Sequence, residues 1–400
     1  MSFDDKTTLL SRRRAAPVLA SGIAALAAAC NGAGQGNLAA VAPPVNPQAK
    51  PDKGVPLALI LPLTGNGAAA GTSLRNSAEF ALAQFKDPNV RLIVKDDKGT
   101  PEGARLAAQE ALAEGAELVM GPLFAPSVQE AGGLARQAGK PMIAFSTDAS
   151  VASRGVYLLS FMPEGEVDRV VDFAGQRGRK AFAALVPDTS YGRVVEGQFQ
   201  QAVARRGATL VALERLPADA GARQAAVAKI AALVGGDKPA ADALFLPDTA
   251  EGLGLTMPAL LQAGYNPARV TPLGTGLWND PAVFRIQGLQ GGLFAAPESA
   301  GFDRFAARYQ ERFGAPPARI ATLSYDAISL AVALVRTQGS QRFSEGVFTN
   351  ASGFSGEDGV FRFRPNGTNE RGLAVLEVRG GGIAVASPAP KSFGGGAAGT

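Results

Sequence analysis

The stretch VPLALILPLTGNGAAAG, residues 55–71, decides the fold class of this chain. Its first eight residues form a continuous apolar run without the polar alternation of a half-exposed strand, which predicts a strand buried on both faces. Glycines then lead into a helical pattern, so the stretch predicts a strand, a tight turn and a helix. This is the unit from which parallel α/β sheets are built.

The same unit repeats along most of the chain. Predicted strands cover residues 55–62, 90–96, 117–121, 141–145, 181–186, 208–214, 243–247, 270–274 and 292–296. Predicted helices cover residues 72–85, 101–113, 127–138, 166–177, 192–206, 222–233, 253–262, 302–313 and 322–336. There are more strand–helix units than one modest sheet needs. We therefore predict an α/β protein with two doubly wound parallel-sheet lobes and a cleft between them.

Polar residues that follow the predicted strands are the candidate ligand contacts, because ligands of doubly wound sheets bind beyond the carboxyl ends of the strands. The candidates are Thr64, Asn66, Ser127, Phe145, Ser146, Thr147, Asp148, Tyr191, Asp248, Thr275 and Trp278.

Several candidates also have a structural interpretation. Ser127 near a helix start caps the helix or contacts a ligand. The turn 145–148 binds a polar ligand through hydroxyl and backbone groups, or bonds only to itself. Tyr191 at a helix start covers a ligand with its ring. Trp278, the only tryptophan, contacts a ligand or partner, or packs inside a lobe.

The glycine-rich turn 65–71 raises the alternative of a dinucleotide-binding enzyme. Asp96 and Asp97 end the next predicted strand, where such a fold places the acid that binds ribose. However, the glycine spacing is one residue longer than the G-x-G-x-x-G motif. We therefore favour a turn whose glycines serve the path of the chain.

Composition removes several classes of chemistry. The 400 residues include no histidine, which excludes histidine-based triads, histidine acid–base catalysis and the usual zinc sites. The formal net charge is +4 and no basic cluster follows residue 14, so nucleic-acid binding is not expected. We predict a protein without catalytic residues, cofactor or metal.

The single cysteine, Cys30, indicates export. Three arginines at 12–14 precede the alanine-rich apolar run 15–29, which is the layout of a secretory signal peptide over residues 1–29. If Cys30 becomes the mature N-terminus, its thiol carries a lipid and anchors the protein to a membrane. Cleavage at Ala27-Ala28-Ala29 by ordinary signal peptidase, or an uncleaved anchor, are the alternatives. Residues 30–54 are predicted to form a flexible tether and residues 380–400 a disordered tail.

Six motifs together resemble the type I periplasmic binding proteins, and within them the Leu/Ile/Val-binding family. They are LILPLTGNGAAAG (59–71), KDDKGTPEGA (95–104), GPLFAPS (121–127), KPMIAFSTDAS (140–150), VPDTSYGR (186–193) and LSYDAISL (323–330). The resemblance implies a two-lobe clamshell with three hinge crossings. The implied N-terminal lobe is 55–163 with 298–345, and the C-terminal lobe is 164–297 with 346–379.

This resemblance also implies a function. It implies a periplasmic lipoprotein that captures an amino acid or amino-acid-like ligand by lobe closure and delivers it to an ABC permease. Amino-acid-binding members have Ser, Thr and Glu where this chain has Ala125, Asp148 and Gly276, and the Glu binds the ligand ammonium. The opening LPLTG...AAAG and the predicted lipoprotein tether also resemble lipoproteins that activate a penicillin-binding protein for peptidoglycan synthesis. That role does not require the Glu, so this second resemblance stays open.

Overall fold

The computed structural model of the protein describes residues 54–87 and 89–393. The predicted signal peptide, Cys30 and the tether up to residue 53 lie outside these residues. The strands are β1 (Val55–Leu61), β2 (Val90–Asp96), β3 (Leu118–Met120), β4 (Met142–Ala144), β5 (Val156–Leu158), β6 (Ala181–Pro187), β7 (Thr209–Leu216), β8 (Ala243–Phe245), β9 (Thr271–Gly274), β10 (Leu293–Ala296), β11 (Phe354–Gly356), β12 (Gly359–Phe363), β13 (Asn369–Arg371), β14 (Ala374–Arg379) and β15 (Gly382–Ser387).

Eleven α-helices are described within the same residues. They are α1 (Ala68–Phe85), α2 (Pro101–Ala113), α3 (Ala125–Gln137), α4 (Pro163–Gln176), α5 (Ser190–Arg205), α6 (Ala220–Val234), α7 (Ala250–Gln262), α8 (Pro281–Phe284), α9 (Ser299–Phe313), α10 (Ala321–Thr337) and α11 (Glu345–Phe348). Every predicted strand and helix is present, and β2 and α2 have the predicted bounds.

The first lobe is built on a parallel sheet with the strand order β2-β1-β3-β4-β5. Leu57, Leu59 and Leu61 of β1 belong to the core under α1, α9 and α10, whereas Ala58 and Ile60 belong to the core under α2 and α3. All five side chains are fully buried. The continuous apolar run of the opening stretch therefore belongs to a strand covered on both faces, as predicted.

The second lobe is built on a seven-stranded sheet with the order β15-β14-β10-β9-β8-β6-β7. Strands β6 to β10 are parallel, and β14 and β15 add an antiparallel edge. Phe182 and Val186 face the core under α4 and α5, and Leu185 faces the core under α6 and α7. Both lobes are doubly wound, which confirms the predicted fold class.

Three chain crossings join the lobes. They lie between β5 and α4, between β10 and α9, and between β13 and β14. The crossings confirm the clamshell connectivity that the family resemblance implied.

The predicted extent of the second lobe is wrong between residues 346 and 371. Phe348 and the antiparallel sheet β11-β12-β13 belong to the first lobe, because Phe361 and Phe363 pack in the same core as Tyr157. The ring centroids of Tyr157 and Phe363 are 5.3 Å apart. The buried aromatic side chains of this segment hold it in the first-lobe core, so only β14 and β15 return to the second sheet.

The predicted disordered tail is also wrong for its first part. Residues 382–387 form β15, which pairs with β14 and covers an otherwise open sheet edge. Beyond it, the Ala389 N–H donates to Glu298 Oε1 at 2.9 Å, and the Arg362 guanidinium lies 4.6 Å from the Phe393 ring. The described end of the chain therefore runs from the second sheet back to the first lobe.

Candidate functional site

Thr64 lies at the carboxyl end of β1 and is bound to Asp96 at the end of β2. The Thr64 hydroxyl donates to Asp96 Oδ2 at 2.6 Å, and the N–H groups of Leu63 and Thr64 donate to Oδ1 at 2.9 and 3.2 Å. Burial alone raises the pKa of Asp96, but the hydrogen bonds from Thr64 and Lys98 outweigh it and lower the pKa. Asp96 therefore organises its own loop, which argues against the role of a ribose acid.

The glycines of the turn 65–71 serve the path of the chain. Gly65 and Gly67 have φ of 70° and 84°, which glycine adopts without steric cost. A Cβ on Gly71 would lie 2.0 Å from the Pro62 carbonyl oxygen. Asn66 between them is exposed. These contacts support the structural interpretation of the turn.

Ser127 does not cap a helix. Helix α3 begins at Ala125, its N-cap is Phe124, and no side chain bonds to the first turn. Ser127 lies within that turn and is 1% exposed. The capping interpretation is wrong because two further residues, Ala125 and Pro126, adopt helical geometry ahead of the serine.

The turn after β4 bonds largely to itself. Phe145 is buried in the first-lobe core. The Ser146 hydroxyl accepts the Asp148 N–H at 3.1 Å, and Asp148 Oδ1 accepts the Ser150 N–H at 2.9 Å. Thr147 and Asp148 are exposed. Of the four predicted contacts, Phe145 is therefore inaccessible, and the acid is engaged as the cap of a short 3-10 helix.

The second lobe brings Tyr191 and Thr275 together. Tyr191 lies in the first turn of α5, which Thr189 caps through the Gly192 N–H at 3.0 Å. The Tyr191 and Thr275 hydroxyls are 2.6 Å apart, and Thr275 is fully buried. Burial and the neighbouring Glu166 raise the pKa of the Tyr191 phenol, so the phenol stays neutral and can donate.

Glu166, which is absent from the sequence-predicted contacts, shares this corner. It lies in the first turn of α4, and its Oε2 accepts the N–H of Gly276 at 2.9 Å. The side chain is buried, and burial raises its pKa to about 8. The only signal in the sequence is an acid in the first turn of a helix. Its partner is 110 residues away, so spacing does not reveal the contact.

Trp278 is a core residue rather than a ligand contact. Its side chain is fully buried, its Nε1–H donates to the Leu246 carbonyl at 2.9 Å, and its ring centroid lies 6.3 Å from that of Phe294. The prediction of a ligand contact fails because the short 3-10 helix Gly276–Trp278 turns the indole under β9.

Asp248, after β8, remains partly accessible. Its Oδ1 accepts the Thr249 N–H at 2.8 Å, and burial raises its pKa. Asp248 lies within electrostatic range of Tyr191. It therefore extends the polar corner of Tyr191, Thr275 and Glu166 along the ends of the second-lobe strands.

A cavity of about 910 Å³ lies beside this corner, along the first and third crossings. Its walls are the first turns of α4, the turn between β12 and β13, and the chain end at 388–393. Glu166, Arg169, Asn366 and Arg371 are among the lining residues, whereas no sequence-predicted ligand residue is. The cavity therefore meets the strand-end corner only through Glu166.

Within residues 54–87 and 89–393, no group of three or more Asp, Glu or Cys side chains is arranged to hold a metal ion. No helix in the described part of the chain combines the length and apolar character needed to cross a bilayer.

Comparison with known families gives one match over most of the chain. The family model described as periplasmic binding protein matches residues 54–382. No curated protein matches the chain significantly.

Solved structures share the fold at low sequence identity. A protein from Rhodospirillum rubrum, assigned by its name to a branched-chain amino acid ABC transporter, is 21% identical with a TM-score of 0.73, over 83% of this chain and 99% of its own. A solute-binding protein of an ABC transporter from Rhodopseudomonas palustris, in complex with 3,4-dihydroxybenzoic acid, is 20% identical with a TM-score of 0.60, over 84% and 99%. A branched-chain amino acid transporter substrate-binding protein from Streptococcus pneumoniae, in complex with isoleucine, is 17% identical with a TM-score of 0.60, over 85% and 100%. At these identities the likeness concerns the fold.

Proposed function

This chain belongs to the type I periplasmic binding proteins of the Leu/Ile/Val-binding family, and on that premise we propose that it captures an amino acid or amino-acid-like ligand between its lobes for an ABC importer. Proteins of this family are periplasmic solute-binding components of ABC transporters and are not enzymes. The identity of the ligand is the part that we propose.

One observation carries the proposal. The second-lobe strand ends hold a buried polar corner, formed by Tyr191, Thr275 and Glu166, next to the crossings that join the lobes. Each of these groups has one partner, and a hydroxyl or carboxylate can make further hydrogen bonds, so the corner is suited to a polar ligand.

Closure is the mechanism that the connectivity supports. The lobes are separate packing units joined by three short crossings, so they can move as rigid bodies about these hinges. A ligand that contacts both lobes binds the closed form better and shifts the population toward it. Exposed Thr147 and Asp148 of the first lobe are the candidate contacts from the opposite side.

The alternative, activation of a penicillin-binding protein, does not require an acid at position 276. The carboxylate of Glu166 lies beside Gly276, which supports ligand capture over the activator role. We further propose that Cys30 carries a lipid and tethers the protein at a membrane. Mass spectrometry of the mature N-terminus tests this, and an unmodified cysteine would leave a freely diffusing binding protein.

Thermal unfolding of the purified protein with a panel of amino acids tests the capture function. A ligand at 100 times its Kd stabilises the folded state by about 2.7 kcal/mol, which raises the Tm by several degrees. Absence of any shift, together with co-purification of a penicillin-binding protein, would replace this proposal with the activator role.

A further inference from the structure

A cluster of alternating phenylalanine and arginine side chains lies where the three crossings meet the first lobe. The Arg371 guanidinium, at the end of β13, lies 4.9 Å from the ring centroid of Phe161 and 5.4 Å from that of Phe361. The Arg319 guanidinium lies 4.6 Å from the Phe161 ring and 4.5 Å from the Phe302 ring. Phe161 belongs to the first crossing, Phe302 follows the second, and Arg371 precedes the third. These five residues, the Phe–Arg cluster, therefore connect all three crossings.

A shared carbonyl group fixes the first crossing to the third. The Ser160 carbonyl oxygen accepts from Asn369 Nδ2 at 2.8 Å and from Arg371 Nε at 3.1 Å. The Ser160 hydroxyl donates to the Phe145 carbonyl oxygen, after β4, at 3.1 Å. Ser160, Asn369 and Phe145 are buried, so a broken bond would leave a polar group without a partner. The two crossing segments are therefore bound to each other and to the first-lobe sheet.

Arg371 is held by the crossings and is not free to bind a solute. Its Nη1 and Nη2 are buried, without an acceptor among the described residues, so a solute in the neighbouring cavity does not reach them. Burial lowers the pKa of the Arg371 guanidinium, and the nearby Asp326 and Asp358 carboxylates raise it. The two rings and the Ser160 carbonyl are thus the contacts that position this side chain.

The chain passes from one lobe to the other within two short steps. At the first crossing, Met162 packs in the first-lobe core, whereas Val167 of α4 packs in the second-lobe core. At the third crossing, the Gly372 N–H donates to the Val360 carbonyl of β12 at 2.8 Å, whereas Leu373 packs in the second-lobe core. Rotation of one lobe against the other is therefore concentrated at residues 162–163 and 372–373.

Resting on the proposed capture by lobe closure, we propose that Arg371 is a positioning residue of the hinge, which makes the first and third crossings move as one body with the first lobe. Arg371 contacts no ligand in this role. It acts through Ser160 on the loop after β4, which carries Thr147 and Asp148. Loss of Arg371 widens the range of lobe angles, so a smaller fraction of the protein is competent to bind, and the apparent affinity falls by the same factor.

Three variants test this role. Arg371→Met keeps a long side chain between the rings but removes the charge and the bond to Ser160. Arg371→Lys keeps the charge but loses the planar group that stacks on the rings. Arg308→Met is the matched control. Arg308 also lies near two first-lobe rings, 5.9 Å from Phe80 and 5.7 Å from Tyr325, but these partners lie away from the crossings.

Distances between two spin labels measure the lobe angle in the ligand-free protein. The labels are attached through Glu102→Cys in α2 and Glu251→Cys in α7, in the full chain with Cys30→Ser. Both glutamates are exposed and lie in the first turn of a helix, one in each lobe. We expect Arg371→Met to broaden the distance distribution, Arg371→Lys to broaden it less, and Arg308→Met to leave it as in the wild type.

Titration calorimetry with the amino-acid panel then measures affinity. For any amino acid that binds the wild type, Arg371→Met should bind about 3- to 10-fold more weakly, and Arg308→Met within about twofold of the wild type. Thermal unfolding confirms that each variant is folded. If Arg371→Met does not fold, Phe161→Leu, which removes the ring next to both guanidinium groups, takes its place in the comparison.

The possible failures are distinct. An unchanged distance distribution in Arg371→Met, or equal broadening in Arg308→Met, overturns the role of Arg371 and leaves ligand capture intact. Weaker binding by Arg371→Met without any broadening overturns it as well, because the arginine would then act on the ligand directly. Absence of binding by every amino acid overturns the capture function, whereas the distances in the ligand-free protein still decide whether Arg371 fixes the hinge.

Discussion

The two lobes have the same doubly wound architecture but use their strand ends differently. In the first lobe, the acids at the strand ends accept hydrogen bonds mainly from backbone N–H groups of the loops around them, as Asp96 does from Thr64 and Lys98, and Asp148 from Ser150. In the second lobe, the strand ends join side chains from distant elements, as Tyr191 does with Thr275 and Glu166 with Gly276.

This difference distinguishes side chains that fix the shape of a loop from side chains that remain available to contact a ligand. Asp96, whose oxygens accept four hydrogen bonds from Leu63, Thr64 and Lys98, fixes the shape of its loop and has little capacity left for a ligand. A buried acid with a free oxygen and a raised pKa retains that capacity. We therefore expect the first lobe to present a rigid surface and the second lobe to supply the contacts that discriminate between ligands.

The largest effect that sharpens the comparison concerns Trp278. Trp278→Ala should lower the free energy of unfolding by about 3–5 kcal/mol, because it leaves a cavity under β9 and orphans the Leu246 carbonyl. Urea unfolding followed by circular dichroism measures the loss, and Trp278→Phe should lose clearly less. Wild-type stability combined with lost ligand affinity would instead restore Trp278 as a ligand contact.

A smaller effect is expected from the first-lobe loop. Asp96→Ala removes the acceptor of hydrogen bonds from Leu63, Thr64 and Lys98, and should destabilise the protein by about 1–3 kcal/mol. Because the pKa of Asp96 is lowered in the folded state, its contribution is present near neutral pH and is lost as the pH falls through the acidic range.

Asp188→Ala is the matched control. This exposed acid also follows a strand, β6, but its 3.7 Å contact with Arg193 is a solvent-exposed ion pair, which contributes little to stability. Chemical unfolding at pH 7 and pH 3 compares the variants. An Asp96→Ala protein as stable as the control at pH 7 would contradict the view that Asp96 shapes this loop.

Buried acids in the two lobes should titrate in different windows. The pKa of Glu166 is raised by burial from 4.5 to about 8, and that of Asp326 in α10 from 3.8 to about 7. Both groups hold protons more tightly when folded, so the stability that each one contributes is complete below pH 4 and falls by up to about 1.4 kcal/mol per pH unit as the pH rises toward the folded pKa.

Unfolding free energies at half-unit steps from pH 5 to 8.5 separate the two. Glu166→Gln should remove the fall between pH 7 and 8, whereas Asp326→Asn should flatten the slope only below pH 7. Equal effects of both variants above pH 7 would show that the second-lobe acid is not the more perturbed one.

The fold was predictable because the strands of both parallel sheets correspond to continuous apolar runs, such as 55–62, that lie between helical patterns in the sequence. β5 was missed because three residues carry no period. Assignment of β12 to the first lobe depends on where Phe361 and Phe363 pack, which is a tertiary contact and not a local pattern.

The site was less predictable, for a related reason. The rule that ligands bind beyond the carboxyl ends of the strands selected Tyr191 and Thr275. These two residues do meet, because parallel strands of one sheet end at the same edge. It also selected Trp278 and Phe145, whose burial depends on the direction in which one turn folds. Glu166 reaches the corner from a helix after a hinge crossing, so its position follows from the way the lobe packs.

The smallest expected effect concerns residues 383–393, which lie beyond the family match, pair with the second sheet through β15 and contact the first lobe through Phe393. Phe393→Ala removes the ring beside Arg362 and should cost about 0.5–1 kcal/mol, the range of a partly exposed cation–π contact. Lys391→Ala, an exposed change two residues earlier, is the control. Thermal unfolding measures the cost, and spin-label distances between the lobes report whether the ligand-free protein opens further.

Since the segment crosses the hinge beside Glu298, loss of the Phe393 contact should widen the inter-lobe distance distribution more than it lowers the Tm. An unchanged distribution would mean that the segment packs on the hinge without restraining it, and that the three crossings alone determine how the two lobes move.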